Sequence, residues 1–438
     1  MDGLRRALGA LDATMVNVGV MIGSVVFLTA SDVARALPHP LLQLGAWLVA
    51  ALFSLAGALT IAELGAAMPD AGGLYVYLRR AFGPFWGFLY GWSLFAVIQT
   101  AAIAAVAVAF ASYCGHFVPL SPLGTQLLAI GAIVAFTLLN ILGVREGIVT
   151  QNVVTFAKMA VIVGLVALAF TGRAGSWTNL TVAPRAPSVG LVAIAASLIG
   201  PLAAFDGWIT ISYMGGEVKV PERNLPLAAF ASVAIVAALY LGLNAAYVIV
   251  LGSSGVANSA LVASDTARGL IGARGADLAA AIVMVATIGG VHGNILAGAR
   301  VLYAMATEGL FWRPAAYVHP RLHTPAIALA AQGVVSVAFV FSGRFDQLLT
   351  NFLFASWLFY GLGGLAVFAL RHAPDLPHPY RVSGYPVVPA VFVAFAALLL
   401  VGTIAAAPRD ALLGAALLLT GVPAYVLFSR AGKRALLK

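Results

Sequence analysis

Two stretches of this chain place backbone chemistry where a membrane leaves little to satisfy it. Gly19-Val20-Met21-Ile22-Gly23-Ser24-Val25-Val26-Phe27 and Gly200-Pro201-Leu202-Ala203-Ala204-Phe205-Asp206-Gly207-Trp208 each put helix-weakening residues near the middle of a long apolar segment. Pro201 lacks an amide hydrogen and its ring clashes with the preceding turn, which weakens the helix further. Unwound backbone frees N–H and C=O groups that hydrocarbon cannot satisfy. A zwitterion satisfies both kinds: its carboxylate suits the positive N-terminal end of a half-helix, and its ammonium suits free carbonyls. The stretches fall in the first and sixth candidate spans, as five-plus-five inverted repeats require. Interruptions paired in this way point to the midplane site of a secondary carrier. The competing reading makes Gly23 and Gly207 close-packing residues between helices.

Ionisable side chains inside the apolar segments are the second source of chemistry. Lys158 lies about nine residues into a span predicted over 149–171. A charged lysine at that depth costs about 2.5–3.5 kcal/mol on insertion scales, so its default reading is functional. The alternative is snorkelling toward a lipid interface. Asp206 reads first as a local cap accepting from nearby amides, with contact to a substrate or a proton as the alternative. His292 reads as a hydrogen-bonded packing residue ahead of a proton relay. Glu63, Glu217 and Arg300 fall near span ends and read as gate or interface pairs.

The elements that must position these groups follow from hydropathy. Hydrophobic residues make up 62% of the 438 and charged residues 9%, too little charge to cover a soluble protein of this size. Candidate helices run over 10–34, 41–68, 84–114, 124–143, 149–171, 188–213, 226–252, 276–306, 325–342, 347–370, 386–407 and 410–429, each long enough to span. The expectation is an all-α membrane protein of about 12 transmembrane helices in one domain over 1–438. Its repeats fall roughly at 10–171 and 188–370, with two extra helices roughly at 386–429. The long first apolar stretch, followed by more of the same, argues against a cleavable signal peptide.

The net charge of +9 is a matter of topology. With the N-terminus inside, fifteen Arg or Lys fall on the cytoplasmic side and seven outside, the latter including Arg173, Arg185 and Arg344. That bias predicts a multi-pass protein of the cell membrane with both termini cytoplasmic, in contact with lipid and not with nucleic acid. A single cysteine, Cys114, excludes an intramolecular disulfide framework. There is no phosphate-binding Gly-x-x-x-x-Gly-Lys-Ser/Thr loop. No His, Cys, Asp and Glu cluster has metal-ligand spacing, so neither a cofactor nor a metal is expected.

The motifs, taken in order, resemble a known family. Ile22-Gly23-Ser24-Val25-Val26-Phe27 resembles the Ile-Gly-Ser-Gly-Ile-Phe signature of amino acid permeases in the amino acid–polyamine–organocation superfamily. Ala62-Glu63-Leu64 with Pro69, Gly72-Gly73 and Tyr75-Val76-Tyr77 resembles the end of their second helix and the next loop. Phe205-Asp206-Gly207-Trp208, Glu217-Val218-Lys219 and Asn224-Leu225-Pro226 resemble the sixth helix and its following loop. Gly298-Ala299-Arg300 and Glu308-Gly309-Leu310 resemble the eighth helix, and Pro379-Tyr380-Arg381-Val382 the loop before the eleventh. The likeness covers nearly the whole chain and is greatest to the L-type amino acid transporter branch, including bacterial alanine-serine-cysteine exchangers. It implies the LeuT-like fold with helices 1 and 6 broken.

The resemblance also implies a substrate site built from Met21, Ile22, Gly23, Ser24 and Val25 of the first break and Ala203, Ala204, Phe205, Asp206 and Gly207 of the sixth. Amides at Gly23, Ser24 and Val25 would hold the substrate carboxylate. Carbonyls at Met21, Ala203 and Asp206 would hold the ammonium. Lys158 matches a family lysine whose amine sits where sodium-coupled relatives bind an ion. Two positions depart from the pattern. Val25 replaces the last glycine, and its β-branched side chain resists unusual backbone angles and crowds close approach. Ala203 stands where many relatives place a large aromatic that closes over the substrate. Some L-type relatives link through a loop cysteine to a single-span partner; Cys114 does not match that placement, so no disulfide-linked partner is expected.

The expected function is sodium-independent exchange of small neutral L-amino acids. Proton-coupled symport, or a carrier of cationic amino acids or polyamines, remains within the same class. A sensor that binds without transport needs the same broken helices. An enzyme would need a convergent nucleophile and base, and none is apparent.

Overall fold

The computed structural model describes residues 4–172, 174–181, 190–341, 345–406 and 408–436. Arg173, Arg185, Arg344 and Lys438, which enter the charge bias, lie outside the described residues, as do positions 188 and 189 at the start of the predicted sixth span. Among the described residues the regular structure is helical apart from two isolated bridges, Leu8 with Val218 and Ala71 with Met214.

The first span is divided into α1 (Ala10–Met21), α2 (Val25–Leu28) and α3 (Ala30–Ala36). α4 (Pro40–Ala67) is the second span, and α5 (Leu74–Phe82) an amphipathic helix after it. α6 (Pro84–Ser93) and α7 (Gln99–Cys114) form the third, joined by a π-helical turn at Leu94–Ile98. α8 (Pro122–Leu142) and α9 (Val144–Thr171) complete the first half. The sixth span is divided into α10 (Leu191–Phe205) and α11 (Thr210–Tyr213). Then come α12 (Pro221–Asn258), α13 (Val262–Ile271), α14 (Arg274–Thr307), α15 (Ala326–Val340) and α16 (Phe345–Leu370). α17 (Val387–Ala406), α18 (Pro408–Leu419) and α19 (Gly421–Leu436) close the chain. Among the described residues eight stretches are long and apolar enough to cross a membrane, and four shorter apolar helices lie in 193–205, 326–340, 354–370 and 414–429.

Local signals set several helix starts. Pro40 opens α4 at a position whose N–H would go unused, and the His39 ring accepts from the Leu41 amide. Ser121 caps α8 by accepting from the Gly124 amide. Packing then selects the faces. α4 lies against α12, where Trp47 meets Tyr240 edge-on at 5.5 Å. Such aromatic pairs contribute about 0.5–1.5 kcal/mol beyond their buried area. On the periphery Leu127, Leu138, Val153, Val163, Leu398 and Val401 are each more than half exposed or nearly so. Apolar surface of this extent suits lipid tails, not water.

The structure refines the predicted helices at four places. The sixth helix does not break at Pro201, which lies inside α10; the chain leaves the helix at Asp206. Pro201 costs one intrahelical bond, but the helix carries it through to Phe205. The last predicted span, 410–429, is two helices that meet at Thr420. The seventh span leaves helical geometry at its predicted end, where Gly252 has φ 69° and ψ 162°, and a short helical stretch follows to Asn258. The short amphipathic helices α5 and α13 have too few apolar residues to register as spans, and they fill loops.

Candidate functional site

The two breaks meet at the centre of the bundle. Gly207 has φ +123°, and a Cβ there would lie 2.8 Å from Val20 Cγ1 and 3.0 Å from the Met21 amide nitrogen. Only glycine serves at this point, for its backbone angle and for the approach of the first break. Gly23 differs: a Cβ there would come no closer than 3.8 Å to Val20 O. The close-packing reading therefore fits Gly207, and Gly23 instead borders open space.

That space is a cavity of about 80 Å³, against about 10–15 Å³ needed by one water on the same measure. Met21, Gly23, Ser24 and Val25 line it from the first break, and Ala203, Asp206 and Gly207 from the sixth. Ile22, Ala204 and Phe205 do not line it. The Ile22 carbonyl turns to Lys158, the Ala204 carbonyl to Tyr240, and the Phe205 ring packs edge-on against Tyr240 at 5.1 Å.

The freed backbone divides into groups that have partners and groups that do not. The Lys158 amine, fully buried, donates to Gly19 O (2.6 Å), Ile22 O (2.7 Å) and Ala286 O (3.3 Å). Its head points into the protein, away from any lipid interface. Asn17 serves the other break: its amide donates to Trp208 O (2.8 Å) and its carbonyl accepts from Ile211 N (2.8 Å). The Tyr240 hydroxyl lies 2.7 Å from Met21 O and 3.2 Å from Ala204 O. Met21 O also accepts from Gly23 N (2.8 Å), so both its lone pairs are engaged in this arrangement. By contrast, the amides of Ser24 and Val25 donate to no atom among the described residues, and the Asp206 carbonyl accepts from none. The Ser24 hydroxyl is buried without a partner.

Asp206 caps its own break, accepting from Gly207 N (3.0 Å), and the same oxygen accepts from the Tyr360 hydroxyl (2.7 Å). This ties the sixth span to α16. His292 Nδ1 lies 2.8 Å from Gln151 Oε1 and its ring meets Phe136 edge-on, a packing role. Neither residue of that pair lines the cavity.

Sequence reasoning missed several lining residues. Gln99 Nε2 donates to Asn294 Oδ1 (2.7 Å), and both side chains line the cavity beside Thr210, Tyr213 and Tyr360. Gln99 directly follows the π-helical turn, a feature frequent at functional sites, but the apolar run Leu94–Ile98 gives no local signal of it. The remaining wall is apolar: Ala101, Ala102 and Ala105 of α7 are its small residues, and Val20, Ile98, Val106 and Ile209 complete it.

The ionisable residues near the span ends form largely buried ion pairs. Arg300 holds Glu217 through two hydrogen bonds (2.7 and 3.1 Å), both side chains fully buried. Arg371 holds Glu63 (2.8 Å), which also accepts from Val382 N (2.7 Å).

Val25 lies in the first turn of α2 with an ordinary negative φ, so its branched side chain strains nothing. It only occupies cavity wall. Val25→Gly is therefore expected to leave a folded protein and to admit larger side chains, at a cost of about 1 kcal/mol or less in helix propensity. A competition panel of amino acids checks this; an unchanged panel, or a dead but folded protein, would show that valine does something else.

A sequence model of the amino acid permease family matches residues 8–426. The serine/threonine exchanger SteT of Bacillus subtilis is 30% identical over 429 residues, covering 97% of each chain. The human b(0,+)-type amino acid transporter 1 is 30% identical over 436 residues, 97% of this chain and 88% of that one. The human cystine/glutamate transporter is 31% identical over 447 residues, 97% of this chain and 85% of that one. A match that runs from the segment before the first broken helix into the last helix takes in both breaks and every element around them: the chain belongs to the amino acid permease family of the amino acid–polyamine–organocation superfamily, multi-pass membrane transporters with the LeuT-like fold of about 12 spans.

Proposed function

We propose that this permease exchanges small neutral L-amino acids across the cell membrane without sodium. The observation that carries the reading is the set of unpaired backbone groups around one small cavity: the Ser24 and Val25 amides on one side and the Asp206 carbonyl on the other. The amides suit a carboxylate and the carbonyl an ammonium. Alanines and the Gln99–Asn294 pair leave room for a short side chain, apolar or hydroxylated, and no cationic side chain lines the cavity. Exchange is supported by the relative that bears the name of a serine/threonine exchanger.

The Lys158 amine supports sodium independence. Three carbonyls converge on it as they would on a metal cation, and a second positive charge beside it is repelled. The halves 10–171 and 188–370 supply one break each and move against each other around this centre. The excess of Arg and Lys supports both termini on the cytoplasmic side.

Purified protein in liposomes tests the proposal. Uptake of labelled serine or alanine should rise roughly tenfold or more when the same amino acid is loaded inside, and change by less than about twofold when choline replaces sodium. Equal uptake into empty liposomes would overturn exchange, and a tenfold fall in choline would overturn sodium independence. A second reading, proton coupling, is favoured by Asp206 lining the cavity with no cation in ion-pair reach among the described residues. It requires net uptake that rises with an inward proton gradient and collapses with an uncoupler.

A further inference from the structure

A second cavity, of about 620 Å³, lies apart from the transport site at the end of the bundle where the chain begins. Its walls come from the segment before α1, the turn between α8 and α9, the loop after α11 and the loop before α15. Arg5, Arg6, Lys219, Arg321 and His323 all line it. Arg5, Arg6, Lys219 and Arg321 are exposed, and none has an ion-pair partner among the described residues.

One carboxylate lines the same space, Asp12, and it is already engaged. Its two oxygens accept from Asn152 Nδ2 (2.7 Å) and from the Gly9 amide (2.9 Å). Four cations share this cavity with one carboxylate among the described residues, and an anion seated among them relieves the repulsion that is left. Arginine forks match the oxygens of a phosphate in particular.

The remaining wall is apolar and leads outward. Leu142 and Val149 line the cavity and are 59% and 55% exposed. The same face of α9 continues through Val153 (63%) and Phe156 (47%), at helical spacing, and Leu138 (57%) precedes Leu142 by one turn of α8. An exposed apolar track thus runs from the basic cavity along two packed helices into the lipid-facing surface. A free phosphate has no use for such a track, and an acyl chain does.

We propose that this cavity binds the headgroup of an anionic phospholipid, with its phosphate among Arg5, Lys219 and Arg321 and an acyl chain along Leu142, Val149 and Val153. The site binds lipid as a fixed component and does not transport it. Topology alone would also place basic residues near a membrane edge. It would not require them to share a cavity, nor to lie at the head of an apolar track.

Native mass spectrometry of the full chain in neutral detergent, titrated with phosphatidylglycerol or phosphatidylcholine, tests the proposal. Phosphatidylglycerol should bind roughly tenfold or more tightly than phosphatidylcholine, and the variant Arg5→Gln/Lys219→Gln/Arg321→Gln should lose that preference. Equal binding of the two lipids by the unaltered protein, or an unchanged preference in the variant, overturns the site. Should the triple variant not purify, Arg321→Gln alone should show a partial loss, and no loss overturns it equally. Glycerol phosphate, which carries the charge without the tails, should fail to displace phosphatidylglycerol. Displacement at matched concentration would assign the cavity to a soluble anion and overturn the lipid.

Discussion

Lys158→Ala is expected to lower exchange by roughly a hundredfold or more while leaving a folded protein. The amine bonds to Gly19 O, Ile22 O and Ala286 O, and it links α9 to the first break and to α14. Two of these carbonyls lack a helical donor because α1 ends beside them, Gly19 in its last turn and Ile22 just past it, and the lysine is wholly buried. A carbonyl left unsatisfied in that setting costs about 1–3 kcal/mol. Two of them therefore cost about 2–6 kcal/mol, and each 1.4 kcal/mol is tenfold in an equilibrium. The broken helix would relax to recover those bonds, and relaxation moves the Ser24 and Val25 amides.

Lys158→Arg should not rescue this loss. A Cβ added at Gly289 would lie 2.9 Å from Lys158 Nζ, so the amine already fills its site. A planar guanidinium is larger and presents its donors in a different geometry. Lys158→Met should resemble Ala, because it restores volume without donors. Exchange rates and substrate affinity in liposomes, with monodispersity as the check on folding, decide the matter. Wild-type exchange in Lys158→Ala would refute the assignment and leave this lysine an incidental buried cation.

The second large effect is on stability. Arg300→Met is expected to destabilise the protein by about 3–5 kcal/mol, because it strands a buried carboxylate. Glu217 and Arg300 are both fully buried and doubly hydrogen-bonded, and Arg300 also reaches Leu296 O. The backbone of Glu217 adds to the effect: its carbonyl accepts from Ala7 N and Leu8 N, both at 2.9 Å. One residue thus joins the loop after α11, the N-terminal segment and α14. The double variant Glu217→Gln/Arg300→Met should recover most of the loss, since removing both charges removes the penalty. Thermal unfolding of the wild type, Glu217→Gln, Arg300→Met and the double variant in one detergent measures the cycle. If Arg300→Met unfolds at the wild-type temperature, the pair does not hold this end of the bundle closed.

Much of this architecture was legible in the chain because its signals are local. Spans announce themselves by apolar length, and lipid leaves few alternatives to a helix. The first break was legible too, since Gly19, Gly23 and Ser24 weaken a helix where they stand. Lys158 was legible because a cation at that depth needs a reason. The sixth break was located only coarsely. Pro201 is the strongest local signal, yet the helix carries it, and the chain unwinds where Gly207 alone can adopt φ +123° beside Val20 and Met21.

The sequence by itself determined the class of this protein, the number of its spans to within about one or two, and which two of them interrupt. Those are properties of segments, set by transfer free energy and helix propensity over some twenty residues at a time. Only the tertiary structure decided what each freed backbone group meets. Asn17 serves Trp208 and Ile211 across more than 190 positions, and Tyr240 reaches Met21 from 219 residues away. Gln99 and Asn294 complete the cavity wall from two different spans. Nothing in a local window marks these polar residues apart from others in apolar helices. In hydrocarbon every polar group must find a partner, and which partner it finds depends on where distant helices cross.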